Sequence, residues 1–409
     1  MVLAPFKLKF PRAVWWFVAL AFALRIVSRI FYTSSGQFFV EGYTFFFEIA
    51  QSIAAGQGIA MDGAAETFRV PLYPLVLAAL TFGHKYVWPI VVAQAAFGAG
   101  TVLFAATLAR RVSSGVAHDR AATFAAAITT VYPYYVIHDT SLEETSLFTL
   151  LTIAAVIALM KAADSDKGRL PAIVAGVMLG LNVLTRASVA PFAALVPIWL
   201  FWKKGLRAAI LCAITLTLVI SPWILRNYKL IGAPTLSSEA GELFWTGNNG
   251  FLFSHYPRES SDISKEEALK ALSPEDHEEL QRLSSDAMGT DRWFWRKGYL
   301  YVRAHPWQTI EDGLRKNAAA FSWLPSPRHS RIQNLFYAAS YGSVMLIGLW
   351  GIWRRRAKWR EDSLIYLVFA TFVLMTAAFW AHTSHRSYLD VYWIAFGAAA
   401  LAERPRSLR

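Results

Sequence analysis

The sequence predicts an all-α polytopic membrane protein of about ten transmembrane helices, with surface-lying helices in its first outer loop and a long outer loop before the last three spans. Three observations carry this expectation. Of 409 residues, 55% are hydrophobic and 15% aromatic against 17% charged, more apolar matter than a soluble core of this length uses. Apolar runs of about 20 residues, the length that crosses the hydrocarbon layer, recur at roughly 13–32, 87–108, 121–138, 142–160, 170–184, 188–202, 207–225, 333–353, 363–381 and 387–403. Backbone polar groups in lipid must bond within their own segment, so these runs are helices. Finally, Lys and Arg crowd alternate connections.

Those basic connections hold Lys7, Lys9 and Arg12; Arg110, Arg111 and Arg120; Lys161, Lys167 and Arg169; Lys203, Lys204 and Arg207; Arg354, Arg355, Arg356, Lys358 and Arg360; and Arg404, Arg406 and Arg409. The opposite short turns, around 139–141, 185–187 and 382–386, carry only Arg186 and Arg386. Positive charge is retained on the cytoplasmic side, so both termini are expected there. The chain divides into a cytoplasmic N-terminus with the first span (1–32), a first extracytoplasmic loop (33–86), spans two to seven (87–225), an extracytoplasmic loop domain (226–332), and spans eight to ten with the cytoplasmic C-terminus (333–409).

The same reading excludes several classes. The net charge of +12 is largely this inward bias, so nucleic acid is not an expected partner. A single cysteine, Cys212, lies within an apolar run, which rules out an intramolecular disulfide and argues against a cysteine metal site. The first apolar run is too long for a cleavable signal and lacks a small-residue cleavage site. Absence of an Asn-x-Ser/Thr sequon fits a bacterial inner membrane better than a secretory one.

Span one ends with Arg25 and Arg29 on one helical face; they either snorkel to headgroups or hold a lipid phosphate. The first outer loop begins Val40-Glu41-Gly42-Tyr43. Tyr43, Phe46, Phe47, Ile49, Ala50 and Ile53 then follow at helical spacing, as in a helix lying on the membrane that stops at Gly56 and Gly58. Glu66 and Arg69 precede Pro71 and Pro74, which set the angle of the next apolar stretch. That stretch, Val70 to Phe82, is too short for a span, and counting it as one would invert every later basic loop. It is therefore expected to be re-entrant or surface-lying.

Spans three and four are joined by VYPYYVIHDTSLEETSLF. Glu143 is placed as a surface charge at a helix N-terminus, whereas His138, Asp139 and Glu144 either share that surface or line an outer cavity. Arg186 stands alone in the outer turn between spans five and six. Span seven runs out through SPWILRNYKLIG into APTLSSEAGELFWTGNNG. In the long loop, Ser264 with Glu267 reads as a capping box and Ser273-Pro274 with Asp276 as a second helix start. His305-Pro306-Trp307 reads as a helix break. Aromatic residues among Lys and Arg from Arg292 to Arg315 suggest helices resting on headgroups.

Together EIAQSIAAGQG, RVPLYPLVLAAL, Tyr132-Pro133, Glu144-Thr145, Thr185-Arg186, Pro222-Trp223 with Arg226-Asn227-Tyr228, Trp245 with Gly247-Asn248-Asn249, and His385-Arg386 with Tyr388 resemble motifs of the GT-C superfamily of membrane glycosyltransferases. The branch is that of protein mannosyltransferases and bacterial aminoarabinose transferases. Many relatives carry Asp-Glu where this chain has Val40-Glu41.

The resemblance implies transfer of a sugar from a polyprenyl-phosphate donor, on the extracytoplasmic face, to a lipid, glycan or protein acceptor. A lipid phosphate leaves as a stable anion, so it needs cations more than a general acid. One base then activates the acceptor. On this reading Glu41 is the catalytic base, Arg69, Arg186 and Arg386 bind the donor phosphate, and Glu66, Asp139, Glu144, Arg226 and Asn248 contact sugar or acceptor. The reading neither requires nor excludes a divalent metal, and membrane lipids are the other partners. The alternative is a transporter or flippase of lipid-linked or small polar substrates, which would show repeat symmetry and mid-membrane charges. A scaffold acting through the long outer loop is a second rival.

Overall fold

The computed structural model describes residues 10–32, 37–39, 43–165, 168–259, 261–325, 327–328, 330–380 and 383–403. These form an almost wholly helical chain. Five helices are long and apolar enough to cross a membrane: α1 (Arg12–Tyr32), α4 (Val87–Val112), α7 (Thr145–Asp164), α10 (Leu206–Ile231) and α16 (Arg331–Arg355). Shorter apolar helices lie over three more of the expected spans, α8 (Arg169–Val183), α17 (Ser363–Ala378) and α18 (Ser387–Ala402), and α9 (Ala190–Lys204) lies over 188–202.

The run 121–138 is not one helix. Pro133 lacks an N–H and holds Tyr132 extended at ψ 111°, so the run breaks into α5 (His118–Val131) and α6 (Pro133–His138). α10 continues beyond residue 225 to Ile231, and thereby carries Arg226 and Asn227 on a rigid element.

The main core gathers small, branched and aromatic residues of α4, α5, α7 to α10 and α16 to α18, among them Ala105, Ala121, Ile153, Leu179, Val196, Tyr341 and Phe396. α18 is buried along nearly its whole length, which explains an apolar pattern without amphipathic period. α1 packs on α4 and α5 through Val14, Ala21, Val102, Ala106, Ala122 and Ala126.

One end of this bundle is stitched by basic groups. Arg111 bonds Asp164, Arg355 bonds Asp362 at 2.9 Å and donates to Val112 O at 2.6 Å, and Arg354 meets Glu403 at 3.6 Å. These are residues that the sequence groups on one side of the membrane.

At the other end lie the first-loop elements. α2 (Thr44–Ala54) buries Phe46, Phe47, Ile49 and Ala50, the face expected from the spacing. Gly56, at φ +75°, follows its end. A short hairpin pairs β1 (Ala60–Met61) with β2 (Ala64–Ala65). α3 (Leu72–Thr81) covers the stretch that was too short for a span and packs Tyr73 and Leu77 into a cluster with Phe38, Phe46, Val87, Ile90, Leu142 and Leu147.

The long loop folds as α11 (Ala240–Thr246), α12 (Ser261–Lys270), α13 (Pro274–Arg282), α14 (Ala287–Ala304) and α15 (Pro306–Ala320) around Trp245, Ala268, Trp293 and Phe294. The helix break at His305-Pro306 and the cap at Ser273, whose hydroxyl accepts from Asp276 N–H at 3.2 Å, are as expected. The capping box at Ser264 is not. α12 already begins at Ser261, so Ser264 lies inside the helix, where its buried hydroxyl accepts from Ser254 at 3.2 Å. A capping box does form at Ser330 and Gln333, opening α16.

Candidate active site

The site is built where the first loop, the α6–α7 turn, the α8–α9 turn and the segment after α10 meet. Backbone hydrogen bonds set the frame: Tyr43 N–H donates to Leu142 O at 3.0 Å, and Leu72 N–H to Leu184 O at 2.9 Å. The second of these holds the segment bearing Arg69 against the turn bearing Arg186.

The segment 66–69 is in turn zipped to 237–239, far along the chain. Ser238 N–H donates to Thr67 O at 3.1 Å, the Thr67 and Ser238 hydroxyls are 2.7 Å apart, and Ser237 Oγ donates to Phe68 O at 2.7 Å. Arg226 completes the joint by donating to Glu66 O at 2.8 Å and Ile59 O at 2.7 Å. Glu66 is buried, and its carboxylate accepts from the N–H groups of Phe68 and Arg69, the latter at 3.0 Å. Arg226 and Glu66 therefore shape this turn and engage backbone.

Arg69 emerges from the turn. Its guanidinium stacks on Phe45 of α2, 4.8 Å from the ring centroid, and donates to Glu239 Oε1 at 2.7 Å. The Arg69 side chain remains 42% exposed and that of Glu239 only 16%, so the cation still faces open space while its partner sits beneath. Burial pushes the Glu239 carboxyl up to about 7, against the pull of Arg69. Tyr43 lies close enough to feel Glu143, Glu144, Arg186 and Arg69, and burial above all pushes its phenol up to about 12.

A second pair lies beside the first. Arg186 donates from Nε at 2.9 Å and Nη2 at 2.6 Å to Glu144 Oε1, and its guanidinium covers Phe148 at 4.6 Å. Glu144 Oε2 and Arg186 Nη1 are buried without a hydrogen-bond partner. Burying charged atoms unpaired is costly, so both favour a polar partner at this point. His138 Nδ1 and Glu143 Oε2 stand 2.7 Å apart next to it.

Two further pairs support the site from within the bundle. Asp139 is buried and accepts from Arg25 Nε at 2.6 Å; burial pushes its carboxyl up, against the pull of Arg25. Arg29, also buried, stacks on Phe38 at 4.6 Å. Arg25 and Arg29 thus both turn inward, away from a snorkelling position. Arg386 is fully buried, 3.6 Å from Asp390, with the Tyr341 ring centroid 3.1 Å away and a hydrogen bond to the Tyr337 hydroxyl. Asp390 Oδ2 accepts from the Tyr132 hydroxyl at 2.7 Å. Tyr134 links this cluster to the others, with its ring 5.8 Å from Tyr337 and 4.1 Å from His138.

Asn248 is not among these groups. It donates to Phe244 O at 2.8 Å and Ala378 O at 2.7 Å, fastening α11 to the end of α17. Glu41 lies outside the described residues, between Phe39 and Tyr43. Among the described residues no group of three or more His, Cys, Asp or Glu is placed to hold a metal ion. Glu239 was not singled out from the sequence. It sits inside a small polar stretch, and the only signal was its place in that motif after span seven.

Residues 69–225 match the model of the family described as dolichyl-phosphate-mannose-protein mannosyltransferase. No match is found among curated proteins. Among solved structures, the chain is similar to the crystal structure of ArnT from Cupriavidus metallidurans bound to undecaprenyl phosphate, with 14% identity and a TM-score of 0.44 over 95% of this chain and 77% of that one. The matched segment runs from Arg69 to the Pro-Trp motif of α10 and includes Glu144 and Arg186; over that segment the chain is similar to this family of membrane glycosyltransferases.

Proposed function

We propose that this protein is a membrane glycosyltransferase that moves a sugar from a polyprenyl-phosphate donor to an acceptor on the extracytoplasmic face of a bacterial inner membrane, with both termini cytoplasmic. The observation that carries the proposal is the convergence of Arg69 with Glu239 and Arg186 with Glu144 at one end of the bundle, with Glu144 Oε2 and Arg186 Nη1 left unpaired. The description of the matched family, a mannosyltransferase served by dolichyl phosphate mannose, supports a lipid-phosphate donor.

In this mechanism the C–O bond between the anomeric carbon and the phosphate breaks while the acceptor's oxygen or nitrogen bonds to that carbon. The departing phosphate gains negative charge, which Arg69 and Arg186 stabilise by hydrogen bonds that strengthen in the transition state. Arg386 is enclosed and neutralised by Asp390, so it holds the tyrosine layer behind the site and the phosphate contact falls first to the other two arginines. Glu144 orients Arg186 and offers its free oxygen to a sugar or acceptor hydroxyl. Asp139 sets the turn that carries Glu144. Glu66 and Arg226 hold the Arg69 turn, and Asn248 fastens the outer loop to α17. Glu41 accepts the acceptor's proton.

The test is to incubate purified protein with a panel of polyprenyl-phosphate sugars and acceptors and to identify released lipid phosphate and product by mass spectrometry. Wild type should release lipid phosphate with sugar on the acceptor, and Glu41→Gln should bind donor without turnover. Full turnover by Glu41→Gln removes the base assignment. The buried Arg25–Asp139 pair, which joins α1 to the turn after α6, and the buried Arg386–Asp390 pair at the start of α18 favour transport as the second reading, and labelled sugar crossing liposomes without a covalent product would select it.

A further inference from the structure

We propose that Glu239 is the counter-ion that Arg69 exchanges for the phosphate of its lipid ligand, so that binding of the anion is coupled to uptake of one proton by Glu239. This rests on the reading of the site as one that takes a polyprenyl phosphate.

The geometry is that of a guarded cation. Arg69 is anchored on its backbone side by the Glu66 turn and on its face by Phe45, so its guanidinium stays in place whether or not it is paired. Glu239 reaches it from the opposite side of the chain fold, at the N-terminal boundary of α11, with its backbone N–H accepted by Ser237 Oγ at 3.2 Å. The carboxylate is the more buried partner and the guanidinium the more exposed. An anion from the membrane surface therefore meets Arg69 on its open face.

Once a phosphate sits there, Glu239 is a second anion on the same cation. Its other charged neighbours are the carboxylates of Glu66 and Glu242, which oppose a negative charge, and Lys265, which favours one. Lys265 is already committed to Glu242 through an ion pair. Nothing among these groups replaces the charge that Arg69 withdraws, and a carboxyl that burial already pushes up to about 7 takes its proton from solvent. Above about pH 7 the empty site keeps Arg69 neutralised; the occupied site keeps Glu239 neutral. Glu239 is a positioning residue in this scheme, since it acts on the phosphate through Arg69.

The probe is undecaprenyl phosphate, with binding to the full chain in nanodiscs measured by titration at pH 6, 7 and 8. Calorimetry in two buffers of different ionisation enthalpy reads the protons taken up. A requirement for protonated Glu239 makes wild-type binding about ten-fold tighter at pH 6 than at pH 8, beyond the phosphate's own titration. Glu239→Gln carries the neutral form permanently. It should bind about ten-fold tighter than wild type at pH 8, lose that part of the pH slope, and take up about one proton fewer at this pH. Glu239→Asp, which keeps the charge on a shorter arm, should retain the slope. Equal or weaker binding by a folded Glu239→Gln protein, or an unchanged slope and proton count, overturns the exchange. Failure of wild type to bind undecaprenyl phosphate at any pH overturns the functional reading itself, and this inference with it.

Discussion

Arg25 Nε and Asp139 Oδ2 meet at 2.6 Å, both side chains being buried, across a gap in α4 that exists because residue 98 is glycine. A Cβ at position 98 would stand 2.2 Å from Arg25 Nε and 2.3 Å from Asp139 Oδ2. Gln94, one turn earlier on α4, donates to Asp139 O at 3.3 Å and Ser141 O at 2.7 Å. The pair therefore ties α1 and α4 to the turn that delivers Glu143 and Glu144. Arg25→Ala leaves a buried carboxylate alone, a change worth about 3–5 kcal/mol, and should lower the melting temperature in detergent. Combining Arg25→Met with Asp139→Leu should restore most of that loss, because well-packed apolar groups replace a buried pair at little cost. Equal melting temperatures for Arg25→Ala and the double variant would argue against the pair as the link.

Gly98→Ala should be destabilising by about 1–3 kcal/mol through overpacking. In an Arg25→Ala background the same substitution meets vacated space and should cost less. A thermal-denaturation cycle over the four proteins reads the coupling, and strict additivity would show that Gly98 does not serve the ion pair.

Arg186 meets Glu144 through two of its nitrogens, a fork that an ammonium cannot reproduce. Arg186→Lys should therefore lower sugar transfer by about 10²–10³-fold, the scale of losing an oxyanion-stabilising donor, while the fold survives. Glu144→Gln should weaken transfer less, because its amide oxygen still accepts from Arg186. Turnover of the donor panel checks both, and a fully active Arg186→Lys enzyme would place the developing charge elsewhere.

How much of this was legible in the sequence depends on whether the signal is local. The helix break at Pro306 follows from a missing N–H and a fixed φ, a signal that reading 121–138 as a single run passes over at Pro133, and the amphipathic face of α2 follows from the spacing of Phe46, Phe47 and Ala50. The motif residues Glu144 and Arg186 were likewise readable and do meet, and Arg69 comes near them with Tyr43 between. Their partners were less accessible. Glu239 joins Arg69 only through the zip of Thr67 and Phe68 onto Ser237 and Ser238, a pairing between distant segments that no periodicity encodes. Arg226 was read as a ligand contact, yet its charge is directed to two carbonyls of the first loop. Ser264 shows the opposite failure: a good local cap signal was overridden because the helix had already started at Ser261.

Arg226 holds the carbonyls of Ile59 and Glu66 by hydrogen bonds from a charged donor, each worth about 1.5–3 kcal/mol. Arg226→Ala should loosen the first loop without unfolding the bundle. Amide hydrogen exchange should quicken across residues 59–69 and remain slow in α7 and α18. Unchanged exchange in the loop would mean that the hairpin and the Ser237–Ser238 contacts suffice to hold it.

Lys316 offers a test of the outer loop by pH. It lies on α15 with no exposed surface, donates to Gly247 O at 3.0 Å, and has Asp312 as its nearest opposing charge. Burial pushes its ammonium from the ordinary 10.5 down to about 8, against the pull of Asp312. The unfolded chain therefore binds more protons than the folded one between about 8 and 10.5, and linkage makes stability rise with pH across that window. Below about 8 both states carry the proton, and the folded state bears the full burden of a buried charge. Lys316→Met should accordingly raise the melting temperature relative to wild type at pH 7 and lose more than half of that advantage by pH 9.5. Scanning fluorimetry on the two proteins across this range measures the difference; a gap that stays constant with pH would show that Lys316 keeps its proton in the fold, held by Gly247 O and Asp312.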